Sequence, residues 1–294
     1  MSLVPFDERD GWIWLNGEFV AWRDAKVHVL THALHYGSCV FEGERMYDGE
    51  IFKLTEHTER LFKSAEILDF EIPFTVAQID EACKQTAARN GLTNCYVRPV
   101  AWRGPEMGVA AHNAKIQVAI ATWEWASYFD PELVRKGIRM THARYRRPSP
   151  ETAPTASKAA GLYMICTISK LAAEKAGYQD ALMLDWRGYI AEATGANIFL
   201  IRDGVIHTPT PDCFLDGITR RSVIELARKV GFEVVERHIP ADELSSFSEI
   251  FITGTAAEIT PVAEIGDLTF QPGNITFTLM DDFSRMVRRQ LQAA

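Results

Sequence analysis

The amino-acid sequence predicts an α+β fold in two parts. Asn-Gly and Asp-Gly pairs stand between alternating apolar segments, a strong short-range indication of β-hairpins. Elsewhere apolar residues recur at spacings of three and four, the period of a helix with one buried face. Both patterns stop over 125–136, where the chain reads Trp-Ala-Ser-Tyr-Phe-Asp-Pro-Glu. We therefore predict a small N-terminal domain over 1–125, a linker over 126–136 and a larger domain over 137–294.

The N-terminal part is predicted to contain hairpins, two helices and two longer strands. The helix that opens at Thr55 places Leu61, Ala65 and Leu68 on one face, at i, i+4 and i+7. A second helix opens at Thr75, a residue that favours the N-cap position. In chain order the predicted elements are hairpins over 12–20 and 45–54, helices from 55 and over 75–90, and strands over 96–102 and 116–122.

The C-terminal part is predicted to mix strands and helices after a polar, proline-rich loop over 144–155. Gly177 and Gly231 each follow a helical pattern, and glycine commonly ends a helix. The pair Asp203-Gly204 predicts a tight turn between two short strands. In chain order the predicted elements are helix 161–176, strands 181–185, 190–193, 197–201 and 205–207, helix 219–230, strands 233–237 and 249–253, and helix 279–291.

Composition excludes several classes of protein. The chain has 294 residues, 47% of them hydrophobic, and a formal net charge of −8. These values exclude disorder and argue against nonspecific nucleic-acid binding, which needs a basic face. Five cysteines without a C-x-x-C pair argue against disulfides and for a reducing compartment. With no signal peptide and no long apolar run, we expect a cytoplasmic protein with neither nucleic-acid nor membrane partners.

Several common motifs are absent from the sequence. The 19 glycines include no pair at i, i+2 and none at i, i+5, so neither G-x-G-x-x-G nor a Walker A loop occurs. No G-x-S-x-G or H-E-x-x-H segment occurs either. His28, His32 and His35 lie close in sequence, but no Cys or carboxylate completes a ligand set. We predict ordinary hydrogen-bonded histidines there and no metal site.

Two charged residues stand in unusual surroundings. Lys158 lies among small side chains in 154–161, where a flat ligand can approach its amine and react with it. The alternative is a lysine on a small-residue turn. Glu192 lies between Ala191 and Ala193 near a strand end, as a partner for a protonated ring nitrogen would. A gatekeeper charge on an edge strand is the other interpretation.

Two turns of small residues are candidates for anion binding. Gly217 and Thr219 open a predicted helix, whose N-terminal N–H groups attract anions. A plain N-cap by Thr219 would give the same pattern. The segment 253–258, Thr-Gly-Thr-Ala-Ala-Glu, follows a predicted strand and is a second small-residue turn with exposed N–H groups.

These segments together resemble the class IV aminotransferases, and most closely the branched-chain amino acid aminotransferases. The similarity extends over nearly the whole chain, through 32–37, 40–45, 96–98 and 254–258. The run 192–220 carries the family signature in Glu192, Thr194, Asn197, Ile198, Phe199, Ile206, Thr208, Leu215, Gly217, Ile218 and Arg220.

The resemblance implies a two-domain enzyme of fold type IV, like the D-amino acid aminotransferases, that uses pyridoxal 5′-phosphate (PLP). Lys158 matches the catalytic lysine that binds the cofactor covalently, and Glu192 matches the carboxylate at its ring nitrogen. Arg60 matches the arginine that binds the phosphate. The implied cofactor-binding residues are Arg60, Lys158, Tyr163, Glu192, Gly195, Leu215, Gly217, Ile218, Thr219 and Thr255.

The substrate pocket that the resemblance implies must accept both an apolar side chain and the γ-carboxylate of glutamate. Its expected residues are Tyr36, Phe41, Gly43, Arg45, Tyr96, Arg98, Val109, Trp125, Tyr128, Ala256 and Ala257. The chain departs from the family pattern at Glu44, where an aliphatic residue is usual. It also departs after Lys158, where Ala-Ala-Gly-Leu-Tyr replaces the common Ala-Gly-Gly-Asn-Tyr.

The implied activity is transamination of leucine, isoleucine and valine with 2-oxoglutarate, giving branched-chain 2-oxo acids and L-glutamate. A D-amino acid or (R)-amine transaminase is an alternative within the fold, and a lyase of the aminodeoxychorismate type is another. A binding protein would not need Lys158 and Glu192 at matched spacing. The resemblance also implies a homodimer or a higher homo-oligomer.

Overall fold

The computed structural model describes residues 4–124 and 131–288. Contacts between Cα atoms divide the chain into two compact units. The first is Met1–Ala126 with Ser157–Gly161, and the second is Ser127–Ala156 with Leu162–Ala294. The domain limits predicted above stay a prediction. The observed division differs from them because it groups the segment around Lys158 with the N-terminal unit.

The first unit is a twisted sheet with helices packed on it. The described strands run in the order β2-β1-β7-β6-β4-β5, and β3 also pairs with β6. The elements are β1 (Trp12–Leu15), β2 (Glu18–Ala21), α1 (His32–Tyr36), β3 (Cys39–Phe41), β4 (Glu44–Tyr47), β5 (Glu50–Ile51), α2 (Leu54–Ile67), α3 (Val76–Arg89), β6 (Cys95–Arg103) and β7 (Ile116–Trp123).

Local sequence accounts for most of these boundaries. Asn16 and Asp48 have positive φ, as the predicted hairpin turns require. Thr75 and Gln78 form a capping box at the start of α3. The apolar faces of α2 and α3 then pack on the sheet through a core that includes Leu61 and Ile79, both fully buried. The predicted hairpins, helices and strands of this unit are confirmed.

Sequence patterning missed two short elements of the first unit, α1 and β3. Their five and three residues are too few to show a helical or strand period. Strand β3 is instead fixed by its partners, because Cys39, Val40 and Phe41 pair with β6 from Trp102 to Val100. A strand specified by tertiary pairing is invisible in a short sequence window.

The second unit is built on a larger sheet. Its described strands run in the order β13-β12-β11-β15-β16-β8-β9-β10-β14, β17 pairs with β16, and β10 also pairs with β11. The elements are α4 (Pro131–Lys136), β8 (Ile138–His142), α5 (Tyr163–Lys175), β9 (Asp180–Leu184), β10 (Tyr189–Ala193), β11 (Asn197–Arg202), β12 (Val205–Pro209), α6 (Ile218–Lys229), β13 (Val234–Arg237), β14 (Ile239–Pro240), β15 (Glu249–Gly254), β16 (Glu258–Ile265), β17 (Leu268–Thr269) and α7 (Asn274–Val287).

Several features of the second unit differ from the sequence prediction. Helix α4 lies within the predicted linker, and strands β8, β14, β16 and β17 were not predicted, although β8 and β16 pair with each other in parallel. Helix α7 begins at Asn274 rather than at 279. Its first turn is held because Glu249 of β15 accepts hydrogen bonds from the backbone N–H and hydroxyl of Thr276. Because the capping residue lies on a distant strand, the residues around the start of α7 do not indicate where the helix begins. In the described parts of the chain, no helix combines the length and apolarity needed to cross a membrane.

Glu44 is a carboxyl buried in the core of the first unit. Its side chain is fully buried in β4, and among residues 4–124 and 131–288 neither oxygen has a well-formed hydrogen-bond partner. The thiol of Cys83, a weak partner, adjoins it. Burial, with the nearby charge of Glu42, raises the pKa of Glu44 well above its ordinary value of 4.5. The folded protein therefore favours the protonated form.

Replacing Glu44 by glutamine should raise the thermal midpoint more at pH 8 than at pH 5. A carboxyl whose pKa is raised by folding loses stability as pH rises above its unfolded value, because only the unfolded chain then releases the proton readily. We expect the difference between Glu44→Gln and the parent to grow by about 2–4 °C or more, the shift that ~1 kcal/mol produces in a domain of about 150–250 residues.

Differential scanning fluorimetry at the two pH values measures this growth. The control is Glu18→Gln, which changes an exposed glutamate of β2 in the same sheet and should shift both midpoints alike. A difference for Glu44→Gln that stays constant between pH 5 and pH 8 would contradict a protonated Glu44 in the folded protein.

Candidate active site

The backbone around Lys158 is fastened to two elements of the first unit. The Lys158 carbonyl accepts from Phe41 N at 3.2 Å, and Val40 forms a bridge with Ala159. On the other side, Lys158 N donates to Ser64 Oγ of α2 at 3.0 Å. These bonds hold a short segment of small residues against β3 and α2, so the lysine side chain starts from a fixed point.

The lysine amine lies near Phe41, a residue predicted for substrate binding, and the Phe41 ring in turn lies near two others. Lys158 Nζ lies 5.1 Å from the centroid of the Phe41 ring, and the Arg98 guanidinium carbon lies 4.6 Å from the same centroid. Arg98 Nη2 donates to the Tyr96 hydroxyl at 3.1 Å. The structure therefore brings an amine, a guanidinium, a phenol and an apolar ring together in one group.

Gly43 belongs to this group because a larger residue does not fit there. A Cβ atom built on Gly43 would lie 2.0 Å from the Tyr96 hydroxyl. Arg45, the next predicted residue on the strand, pairs across the sheet with Tyr96, and its guanidinium lies over the Tyr47 ring. Gly43, just before β4, and Arg98 of β6 thus both lie beside the Tyr96 hydroxyl.

Tyr36 and Val109 form a separate group around His32. The Tyr36 ring lies 4.5 Å from the His32 ring, and His32 Nε2 is 3.3 Å from the Val109 carbonyl oxygen. Both side chains are exposed, Val109 at 80%. These contacts join the two residues to His32 rather than to Lys158. The remaining predicted pocket residues, Trp125 and Tyr128, lie outside the described residues.

Arg60 is held by a carboxylate that the sequence did not indicate. Arg60 Nε and Nη2 donate to the two oxygens of Glu42 at 2.7 and 2.8 Å, and His57 Nδ1 lies 2.7 Å from Glu42 Oε2. Burial alone would raise the pKa of Glu42, but Arg60 and the bond from His57 outweigh it and hold that pKa well below its ordinary value. Burial lowers the pKa of His57, so the imidazole is neutral at pH 7 and donates from Nδ1.

In the second unit, Glu192 is buried and has two named partners. Asn197 Nδ2 donates to Glu192 Oε2 at 3.2 Å, and Arg147 Nε lies 3.3 Å from Glu192 Oε1. The same Asn197 amide donates to the Leu215 carbonyl at 3.1 Å. A Cβ on Gly217 would lie 2.2 Å from Asn197 Oδ1. One asparagine therefore connects three of the predicted cofactor residues.

Arg147 is a site residue that sequence reasoning missed. Its guanidinium is buried, and Nη1 donates to the Cys166 thiol at 3.5 Å. Burial would lower its pKa, but the charge of Glu192 and the polar groups of Cys166 and Tyr163 outweigh burial and raise it. Arg147 therefore stays charged beside the Glu192 carboxylate. Arg147 lies in the loop 144–155 beside Arg144 and Arg146, and only burial distinguishes it from them.

One of the two predicted anion-binding turns lies at a helix N-terminus, and the other lies between two strands. Gly217 is the N-cap of α6, and Ile218 and Thr219 form its first turn, where N–H groups have no intrahelical partner. Thr255, Ala256 and Ala257 form the turn between β15 and β16. Gly254 packs on the carbonyl of Gly195, since a Cβ there would lie 3.4 Å from that oxygen. Tyr163 begins α5 and is half-buried.

The histidines near the N-terminus are bonded to the protein. His32 Nδ1 shares a hydrogen bond with Ser38 Oγ at 2.6 Å, and His35 Nε2 lies 2.9 Å from the Val29 carbonyl oxygen. His28 Nδ1 accepts from Leu30 N at 3.1 Å. Each ring therefore has an ordinary hydrogen-bonding role, as predicted.

Comparison with known proteins identifies the family. A family model described as "Amino-transferase class IV" matches residues 39–265. The branched-chain-amino-acid aminotransferase of Pseudomonas aeruginosa is 44% identical over 263 residues, which cover 88% of this chain and 86% of that protein. The enzyme of the same name from Escherichia coli K12 is 40% identical over 270 residues, with 89% and 87% covered.

A solved structure gives the same result. The branched-chain amino acid aminotransferase of T.th., complexed with N-(5′-phosphopyridoxyl)-L-glutamate, superposes with a TM-score of 0.91 at 40% identity, and 96% of each chain is covered. The predicted α+β fold of type IV is confirmed by this similarity. The chain belongs to the class IV aminotransferase family.

Proposed function

We propose that this protein is a PLP-dependent transaminase that exchanges the amino group of leucine, isoleucine or valine with 2-oxoglutarate. The products are the branched-chain 2-oxo acids and L-glutamate. The observation that carries the proposal is the grouping of the Lys158 amine with the Phe41 ring and the Arg98 guanidinium. The names of the Pseudomonas and Escherichia relatives support the substrate, and the glutamate adduct in the T.th. structure supports the co-substrate.

The residues present fit PLP. The second unit supplies a buried carboxylate beside a charged arginine, a helix N-terminus and a glycine whose Cβ would meet Asn197. The buried hydroxyl of Thr253, across the sheet from Asn197, has no hydrogen-bond partner within the described ranges and suits a polar ligand. When bound, PLP supplies an aldehyde for the substrate amine and a pyridinium ring that accepts the electron pair left at Cα.

Glu192 and Arg147 set the charge at the ring nitrogen. A buried carboxylate beside that nitrogen stabilises its protonated form, since the two charges are then opposite and adjacent. The charge of Arg147 favours the ionised form of Glu192, and Asn197 fixes the orientation of the carboxylate. We assign Glu192 to the ring nitrogen and Arg147 to positioning it.

Lys158 is assigned the covalent attachment and the proton transfer. Its amine would hold the cofactor's aldehyde until a substrate amine took its place, and the freed Nζ would then carry the proton from the substrate Cα to the cofactor's aldehyde carbon. The fixed backbone on both sides of Lys158 limits how far Nζ moves between these tasks. No second amine is needed for either step.

The phosphate is assigned to the N-terminus of α6 and Thr255 in the second unit, and the family resemblance alone assigns Arg60 of the first unit to it. Ile218 and Thr219 present backbone N–H groups at the positive end of a twelve-residue helix, where an anion is stabilised by the aligned peptide dipoles. Arg60 adds a guanidinium, the side chain best suited to phosphate oxygens. Its Nε and Nη2 already bind Glu42, so the guanidinium has a fixed orientation.

Arg98 is assigned the γ-carboxylate of glutamate and 2-oxoglutarate. Its Nε atom is buried and has no hydrogen-bond partner in the part of the chain that the structure describes, and no carboxylate there pairs with it. A buried cationic donor without a partner is destabilising until an anion binds it. Beside Arg98, the Phe41 ring offers an apolar surface for a leucine side chain, so one pocket serves both substrates.

The predicted homodimer and the cytoplasmic location stay predictions. Two surfaces are suited to a second copy of the chain. In the first unit, exposed apolar side chains gather near His32, namely Val29, Leu30, Leu34, Tyr36, Met107 and Val109. In the second unit, α5 exposes a stripe of Met164, Ile168 and Leu171 at i, i+4 and i+7.

Replacing Lys158 by alanine should abolish transamination of leucine with 2-oxoglutarate and remove the absorption band of lysine-bound PLP. The matched control is Lys63→Ala, which removes an exposed lysine of α2 that pairs with Glu66 and should leave activity and spectrum unchanged. A panel of L-leucine, L-valine, D-alanine and (R)-phenylethylamine tests the substrate class. Full activity in Lys158→Ala, or a preference for the D-amino acid or amine, would contradict the proposal.

Replacing Arg98 by alanine should weaken kcat/KM for glutamate and 2-oxoglutarate more than for leucine, by roughly 2 kcal/mol, as for lost charge-assisted hydrogen bonds. Leucine has no second carboxylate for Arg98 to bind, whereas glutamate carries a γ-carboxylate that needs a cation. The half-reactions are measured separately by single-turnover absorbance changes.

The control for Arg98 is Arg103→Ala on the same strand. Arg103 donates to the backbone carbonyls of Leu68 and Asp69, so its loss should affect both half-reactions equally. If Arg98→Ala also lowers both equally, γ-carboxylate recognition lies with another residue.

A further inference from the structure

We infer that Glu42 is the positioning residue for Arg60, and that His57 orients Glu42 in turn. The inference rests on the proposed function, because it concerns how this chain prepares Arg60 for the phosphate of the cofactor. Glu42 was not among the site residues expected from the sequence. The contacts around its carboxylate, rather than any motif, assign the role.

Both oxygens of the Glu42 carboxylate accept hydrogen bonds. Oε1 accepts from Arg60 Nε, and Oε2 accepts from Arg60 Nη2, from His57 Nδ1 and from Gly43 N, the last at 3.3 Å. The backbone of Glu42 is also fixed, since its N–H donates to the Pro99 carbonyl of β6 at 2.9 Å. A fully buried carboxylate with this many donors has one orientation available.

The two hydrogen bonds to Glu42 fix the orientation of the Arg60 guanidinium. A guanidinium is planar, so two parallel bonds through Nε and Nη2 fix the plane and leave the opposite edge pointing in one direction. An arginine on a helix without such a partner would sample many rotamers and would lose that entropy on binding an anion. A partner that orders the side chain beforehand improves binding of the anion without touching it.

The charge balance allows a bound anion as well. His57 is neutral because burial lowers its pKa, so the three groups carry one positive and one negative charge. Burial raises the pKa of Glu44, the next carboxyl on the chain, so its protonated form is favoured and it competes less than Glu42 for Arg60. The pair of Arg60 and Glu42 is electrically neutral, and an arriving phosphate meets an oriented donor edge rather than a surplus positive charge.

Positioning and charge cancellation predict opposite effects for Glu42→Gln. If Glu42 only cancels charge, the variant gains net positive charge near Arg60 and should bind an anion more tightly. If Glu42 positions Arg60, the amide nitrogen opposes one of the donors, the fork is lost and the anion binds more weakly. The sign of the change in affinity separates the two roles.

The experiment measures binding of PLP and of pyridoxal, which has no phosphate, to the apoproteins by absorbance titration. For Glu42→Gln we expect the Kd of PLP to rise about tenfold or more, while the Kd of pyridoxal changes less than about twofold. Inorganic phosphate should raise the thermal midpoint of the parent apoprotein and should do so less in the variant. Neither readout requires turnover.

A geometrically matched control lies in the second unit. Glu264 accepts from Arg139 Nε and Nη2 at 2.7 and 2.9 Å, the same two-bond fork in an exposed setting. Glu264→Gln should leave both affinities unchanged. Within the cluster, His57→Asn retains a donor toward Glu42 and should bind PLP nearly as the parent does, whereas His57→Leu should show a smaller loss than Glu42→Gln. The His57 pair keeps the test informative if Glu42→Gln does not fold.

Arg60→Ala separates this inference from the proposed function. A selective loss of PLP over pyridoxal in Arg60→Ala, together with the same loss in Glu42→Gln, supports the positioning role. The selective loss in Arg60→Ala alone, or tighter PLP binding in Glu42→Gln, overturns the positioning role and leaves the phosphate assignment intact. If Arg60→Ala shows no selective loss of PLP binding, the assignment of Arg60 itself is overturned.

Discussion

The buried carboxylate of Glu192 is the constraint on which the second unit's part of the site depends. An ionised group removed from water is strongly destabilising unless charges and hydrogen bonds surround it. Arg147 supplies the charge and Asn197 the hydrogen bond. Asn197 can reach Glu192 because β10 and β11 pair at these two residues, and its other contacts require glycine at 217 and fix the Leu215 carbonyl. The contacts that surround the Glu192 carboxylate therefore also fix the start of α6.

In the first unit, the constraint is different: a ligand must reach the Lys158 amine while the backbone that carries it stays fixed. Backbone bonds to Phe41 and Ser64 hold the Lys158 segment, so the segment needs no bulky side chains of its own to stay in place. Its small residues leave room for a ligand beside Nζ. Gly43, between β3 and β4, lacks a side chain for a different reason, since the Tyr96 hydroxyl occupies that space.

Sequence reasoning found the groups that bear the chemistry and missed the groups that support them. Lys158, Glu192 and Gly217 stand out because their residue types contrast with their neighbours. Arg147 and Glu42 do not, because each has meaning only through a partner 45 or 18 residues away, which the fold brings near. The same limit applies to strands: the hairpin at Asn16 is marked by its turn chemistry, whereas β3 and β8 exist only through pairing with distant strands.

The state of the ring nitrogen tests the central claim most directly, namely that the ionised pair of Glu192 and Arg147 sets the charge of the bound cofactor. The protein is reconstituted with PLP labelled with ¹⁵N in the ring, and the ¹⁵N chemical shift is measured at neutral pH. We predict the shift of a protonated pyridine nitrogen in the parent and that of an unprotonated one in Glu192→Gln. An unprotonated nitrogen in the parent, or a protonated one in both proteins, would contradict the account.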